Sequence, residues 1–373
     1  MAEALGNLGE YQKAEEHFRC CWEIRKVTQG KNSRATLDAM QATGAMCDMQ
    51  EKKEEALELF KRCWELRILD AGPDDYDTLS VMHSYSIVLS GMGRLEEAES
   101  LLLECLARQR NRVASGEGRE EGLGIRCLNS LSNCFRVQEK YIEAEKFARQ
   151  SLDESRMIFG GNHPETLRQI HTLALSLFDL GKIDEAEALQ KECVEKRKLT
   201  LGDRHPLYFQ SLSNLGAMIE TSNRLDEAEA IFKQCSDRER KVLGESKNCL
   251  DTMINLANIF DKTERRADAQ KIYKECYYKL KEIAGEACSS VALARTRLLT
   301  SYHEDGKIAE RNEFFNAAGL RSLTNDETRA ILQNLSGDEF KNMLNFLDGT
   351  LSPYQEKLFC STATNILKSQ KKG

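Results

Sequence analysis

One short pattern recurs seven times along this chain of 373 residues, at an almost fixed interval. A Glu-Ala, Asp-Ala or Lys-Ala step stands in similar surroundings at Ala14, Ala56, Ala98, Ala144, Ala186, Ala228 and Ala269. The spacings are 42, 42, 46, 42, 42 and 41 residues. Self-similarity at such a period marks a stacked array, in which each unit buries its apolar face only against its neighbours. A chain of this length would otherwise form two or three globular domains. A repeat array predicts one continuous core and a long surface of the kind that holds other proteins.

Composition agrees with that reading. Hydrophobic residues make up 41% of the chain, enough for a continuous core, and 30% charge with only 4 prolines fits an all-helical protein. The net charge of −7 argues against a nucleic-acid binder, which would carry a basic excess. No apolar run reaches the roughly 18 residues that a spanning helix needs, so a membrane partner is not expected either. The first residues lack the charged-then-apolar design of a secretory leader.

The unit itself reads as two helices. In the clearest copy, Pro164 suits a first helical turn, Gly181 a left-handed turn between helices, and Gly202 a C-terminal cap. Apolar residues recur at intervals of three and four in both halves. The closing glycine returns sixteen residues after the repeat alanine at Gly30, Gly72, Gly160, Gly202, Gly244 and Gly285. Twelve residues before that alanine stands a small residue: Ala2, Gly44, Ser86, Ser132, Ala174, Gly216 or Ala257. Nine before it a larger residue recurs: Leu5, Cys47, Leu89, Phe135, Leu177, Ile219 and Phe260. Four after it an aromatic is frequent: Phe18, Phe60, Phe232 and Tyr273.

Thirteen cysteines look at first like a metal or disulfide framework. Their positions say otherwise. Cys21, Cys63, Cys105, Cys193, Cys235 and Cys276 each follow the repeat alanine by seven residues, with Ser151 in that place in repeat four. Seven residues are two helical turns, so this column shares the alanine's face and is predicted to be buried as a small hydrophobe. One thiol per repeat and no CxxC pair argue against a metal site or a cofactor. Reduced thiols favour a cytoplasmic location.

These offsets resemble the tetratricopeptide (TPR) signature of small, aromatic and small residues on two antiparallel helices. The period is eight residues longer than the usual TPR unit of about 34. The phrases Leu-Gly-Asp-Arg-His-Pro at 201–206, Ser-Asn-Leu-Gly at 213–216, Asn-Leu-Ala at 255–257 and Leu-Asp-Glu-Ala-Glu at 225–229 are similar to the long repeats of kinesin light chains and related TPR proteins. The resemblance covers about residues 1–310. It implies an all-α fold, a right-handed α-solenoid of stacked antiparallel helix pairs. The heptad coiled coil that joins kinesin light chains to their motor is missing.

The expected layout is a TPR array over 1–312, with about seven repeats and a partial eighth, then a C-terminal helical capping segment over 313–373. Repeat four carries four extra residues within 114–124, read as a longer turn between repeats rather than a phosphate loop. Helix A of repeat one is cut short at Met1, which suggests that a longer native N-terminus precedes it. An eighth helix A is expected at Ser289–Gly306, with its helix B decaying after Lys307. Beyond about residue 315, Ser336 and Ser352 open capping boxes for short closing helices. An alternative folds that tail back into the groove as an internal inhibitor.

In stacked TPR units helix A lines the inner, concave face. Its stripe opposite the small residue lies 18, 15, 14, 11 and 8 residues before the repeat alanine. Repeat four places Arg126, Asn129, Ser130, Asn133 and Arg136 there, and repeat five Arg168, His171 and Thr172. Repeats six and seven contribute Asn214, Asn255 and Asn258, among others. Asparagine amides both donate and accept, so they can hold a peptide backbone without dictating its sequence. Arg126, Arg136 and Arg168 would form a basic sector whose forks suit carboxylates. The plainer alternative pairs each arginine with a nearby glutamate on its own helix. Kinesin light chains take aromatic-acidic cargo peptides in this groove, so the resemblance implies a ligand of that class.

The expected function is therefore a non-catalytic scaffold or adaptor for protein partners. A co-chaperone clamp for chaperone C-termini is the alternative, although Asp38, Gln41, His83 and Ser84 on repeats two and three suit a carboxylate poorly. The array as one part of a larger signalling protein is another. For an enzyme, the sequence offers no Gly-x-Ser-x-Gly, Walker loop or His-Glu-x-x-His.

Overall fold

The structure, a computed structural model, describes residues 11–116, 122–285 and 288–317. Among the described residues there are fifteen helices and no strand. Contacts divide the chain into two units, Met1–Thr200 and Leu201–Gly373. The expected boundary at 312 falls inside a helix, and the calls on residues 1–10, on the insertion's centre at 117–121 and on the tail after 317 lie outside the described residues.

In the first unit, α1 (Tyr11–Thr28), α3 (Lys53–Ala71), α5 (Leu95–Ala114), α7 (Tyr141–Phe159) and α9 (Ile183–Leu201) are B helices. They alternate with the A helices α2 (Arg34–Met49), α4 (Tyr76–Gly91), α6 (Leu123–Val137) and α8 (Pro164–Asp179). The second unit alternates in the same way: α10 (Pro206–Thr221), α11 (Leu225–Leu243), α12 (Lys247–Lys262), α13 (Arg266–Ala284), α14 (Ser289–Glu304) and α15 (Ile308–Ala317). A helices are 15 or 16 residues long and the complete B helices beyond repeat one 19 or 20. These lengths account for the long period. Each unit is a stack of antiparallel helix pairs, the α-solenoid architecture that the spacing predicts.

Local chemistry sets the boundaries. Ser33, Asp75 and Ser246 cap A helices through side-chain oxygens, and Pro164 and Pro206 occupy first-turn positions behind the capping His163 and His205. The turn from A to B repeats one hydrogen bond: the N–H of Lys52, Arg94, Lys140, Lys182, Arg224, Arg265 or Lys307 donates to the carbonyl five residues earlier. This is the Schellman geometry, which needs a left-handed residue just before the donor. Gly93, Gly181 and Gly306 supply it, and Glu51, Glu139, Asn223 and Glu264 adopt it at φ of 58–63°. The closing glycines likewise all have positive φ, from 78° to 93°.

The core follows the predicted columns. All seven repeat alanines are fully buried. Gly44 lies under the Phe60 ring and Gly216 under Phe232, so the small residue of helix A exists to admit the aromatic of helix B. The cysteine column has a further role. Cys63, Cys105, Cys193, Cys235 and Cys276 each donate to the carbonyl 26 residues earlier, at 3.3–3.6 Å. Ser151 makes the same bond to Ile125 at 3.1 Å. Cys21, on α1, corrects the expectation of burial: it is exposed.

The eighth helix A matches its expected span, with Asp305 as cap and Gly306 at φ +68°. Its helix B does not decay after Lys307. It continues as α15, and buried Phe314 packs edge-on against Tyr277, 5.0 Å between ring centres.

Candidate functional site

In the first unit, polar side chains of α4, α6 and α8, several of them on the predicted stripe, come together as a ladder from each A helix to the next. His83 Nε2 and Ser130 Oγ lie 3.0 Å apart. The Asn129 amide donates to Gln169 Oε1 at 2.8 Å and to Thr172 Oγ1 at 2.7 Å. Arg136 Nε donates to Asp179 Oδ2 at 2.5 Å. Ser132 Oγ and Ser176 Oγ lie 3.1 Å apart beneath them. These rungs join side chains 40 to 47 residues apart, about one repeat, as stacking of like units requires.

The ladder sorts the six expected site residues of this unit. Asn129 and His171 are buried, and their polar atoms are used inside the fold, the latter with Gln190 at 3.2 Å. Asn133 is exposed and reaches Asn129 Oδ1 at 3.4 Å. Arg136 is engaged with Asp179, and Arg168 is paired with Glu165 on its own helix. Arg126 differs from both. Its guanidinium donates to the Tyr76 hydroxyl at 3.4 Å, and among the described residues it has no carboxylate partner. The three remaining candidates belong to the second unit. Asn214 and Asn255 are half-buried on α10 and α12, and Asn258 donates to Glu220 Oε1 at 2.9 Å.

Electrostatics show that the arginines converge on the two histidines. Burial, chiefly, pulls the His83 imidazole down to about 4, and the positive charges of Arg126 and Arg168 push the same way. His171 also falls to about 4 through burial, then Arg197 and Arg136, against an opposing bond to Gln190. Both rings are therefore neutral at pH 7, and the local charge is carried by guanidinium groups. The second unit has the opposite character. Burial raises the carboxyls of Asp251 and Asp261 above their usual range, while Ser290 and Ser301 oppose it by hydrogen bonding.

One set of donor types could suggest a metal. Glu15, Cys47 and Glu55 bring ligand atoms within 4.8 Å of one another. Arg19 binds both carboxylates at 2.5 Å, and Lys52 adds a bond to Glu15 at 2.8 Å. Burial pushes the Cys47 thiol up to about 11, so it is not a thiolate. The cluster is a charge-balanced junction between α1, α2 and α3. No described helix is long and apolar enough to cross a membrane.

No curated protein matches the chain. Among solved structures, TPR-like repeats ascribed to a Podosopora anserina kinesin light chain share 19% identity over 54% of this chain and 96% of theirs, with a TM-score of 0.46. The apo quorum sensor NprR from B. thuringiensis shares 13% over 85% of this chain and 84% of its own, with a TM-score of 0.62. A Rap protein complexed with competence and sporulation factor shares 11% over 100% and 99%, with a TM-score of 0.54. The tetratricopeptide repeat family model matches residues 1–69, 125–195, 168–238 and 209–278, and a second tetratricopeptide repeat model matches 78–113. With more than half of its length matched and helix pairs stacked in the same register, the chain belongs to the tetratricopeptide repeat family.

Proposed function

We propose that this protein is a non-catalytic scaffold that grips acidic, or aromatic and acidic, peptide segments of partner proteins along its A helices, in the manner of kinesin light chains. The carrying observation is Arg126, a guanidinium without a carboxylate partner among the described residues, at the edge of a polar ladder that is otherwise internally satisfied. A fork that is half-buried and lacks an anion attracts one, and a carboxylate can accept it bidentately. Arg168 shares the field at His83 and can exchange Glu165 for a ligand carboxylate. Exposed Asn133 supplies an amide for the peptide backbone. Structures of the same fold include one solved in complex with a factor, which is compatible with a ligand held by such a stack. Binding of protein partners without chemistry is the usual role of TPR arrays.

The test is fluorescence anisotropy with labelled peptides that place an aromatic residue between glutamates. Arg126→Glu/Arg168→Glu, checked for unchanged helicity, is expected to weaken binding at least tenfold, and wild-type affinity is expected to fall with added salt. Equal affinity in the variant would move the peptide off this stripe.

A further inference from the structure

A surface cavity of about 330 Å³ lies in the second unit, between α11 and α13. Its apolar lining comes from Met253, Leu256 and Phe260 of α12 and from Ile272 of α13. One residue of its lining stands out in the sequence. The position eight after the repeat alanine holds a large apolar side chain in six repeats: Trp22, Trp64, Leu106, Leu152, Val194 and Tyr277. Repeat six alone has serine there, Ser236, and Ser236 lines the cavity.

The first unit shows what normally fills such a space. Trp64 stacks on Tyr85, 6.0 Å between ring centres, and packs against the cluster that contains Met82. Tyr85 and Met82 stand 13 and 16 residues before Ala98. The residues at those offsets before Ala269 are Leu256 and Met253, both in the cavity lining. The cavity of repeat six thus lies at the offset that Trp64 fills in repeat two, with a serine in its place.

We propose that this seat takes one large aromatic side chain, an indole or a phenyl ring, from a segment of a partner protein. An apolar cavity of roughly 150 Å³ already accommodates benzene, so the volume is sufficient. The mouth favours a side chain borne on a peptide. Exposed Lys233, Asp237, Asp268 and Lys271 surround it, and none of them makes an ion pair among the described residues. Arg240 and Glu275 close one side with a bridge of 3.1 Å between α11 and α13. Two cations and two anions around an apolar floor match an aromatic residue with charged neighbours of both signs. This site is separate from the A-helix stripe, so the two proposals stand or fall independently.

The full chain labelled with 13C at its methionine methyls provides the test, with the Met253 signal assigned through Met253→Leu. N-acetyltryptophanamide is expected to shift that methyl saturably. A peptide carrying tryptophan between glutamate and lysine is expected to bind at least threefold tighter at low salt, and the advantage should vanish at high salt. Ser236→Leu supplies the side chain of repeats three and four. It is expected to raise the melting temperature and to weaken both probes at least tenfold, while Ser236→Ala leaves them bound. Ser236→Val should fall between these two. Absence of a saturable shift in the wild type would overturn the proposal. So would an undiminished shift in Ser236→Leu, or a lowered melting temperature in both filling variants. Equal affinity for amide and peptide at low salt would reject a partner protein as the source of the ring.

Discussion

The Phe232 ring covers Gly216 so closely that a Cβ on the glycine would lie 2.6 Å from ring carbon Cε1. No real Cβ tolerates that distance, and the ring is fully buried with nowhere to retreat. Gly216→Ala is therefore expected to destabilise the second unit by about 1–3 kcal/mol, the usual cost of overpacking. Gly44 faces Phe60 at 3.2 Å, a contact that a slight ring shift relieves. There the gain in helix propensity, about 1 kcal/mol, offsets the strain. Gly44→Ala should cost less than half as much. Thermal melts of both variants check the difference, and equal losses would refute the distinction drawn from the two distances.

The turns between helices offer a gain in stability. Glu51, Glu139 and Glu264 sit at φ of 60–63°, where an L side chain costs roughly 1–2 kcal/mol. Glycine removes that cost and gives back about 0.5–1 kcal/mol of unfolded-state entropy. Glu139→Gly and Glu264→Gly should each stabilise by about 0.5–1 kcal/mol. Asn223→Gly should gain less, since asparagine tolerates the left-handed region. Denaturant midpoints for the three variants test the order.

Periodicity made much of this fold legible. The buried alanines, the glycine caps and the span of the eighth helix A follow from columns of one residue type. Exceptions within a column are harder to see. Cys21 obeys its column in sequence, yet it is exposed in the fold. Arg136 lies on the predicted stripe, yet its pairing with Asp179 depends on how two helices 43 residues apart come into register. Spacing within one repeat holds no such information. Ser236 left a signal in the sequence, one serine among six large apolar residues at the same offset.

The cysteine column makes a sharper prediction than burial alone. Five of its six thiols donate to a carbonyl of the adjacent A helix, and repeat four makes the same bond with Ser151. Cys235→Ser should therefore be tolerated within about 1 kcal/mol, because the hydroxyl inherits the bond and remains satisfied. Cys235→Phe should cost about 1–3 kcal/mol by overpacking a fully buried site. Binding along the A helices should survive the serine variant. A loss with Cys235→Ser as large as with Cys235→Phe would show that the serine does not take over the bond.

Acid should weaken the first unit through its two buried histidines. His83 and His171 have folded-state values near 4, below the ordinary value of about 6.5 in an unfolded chain. Between those limits the unfolded chain binds the protons and the folded chain does not, so stability falls as pH drops through the window. At pH 5 each ring accounts for at most about 2 kcal/mol of that loss. Carboxyls titrate mainly below this pH, and those that burial raises, such as Asp251 and Asp261, act in the opposite direction because they favour the protonated folded state. His83→Gln keeps a polar group for Ser130 and removes one proton site. Comparing melts at pH 7.5 and pH 5, the variant should lose a substantial part of the wild-type drop. An identical drop in both proteins would mean that His83 is protonated in the fold as readily as outside it, and that the field of Arg126 and Arg168 is weaker than their positions imply.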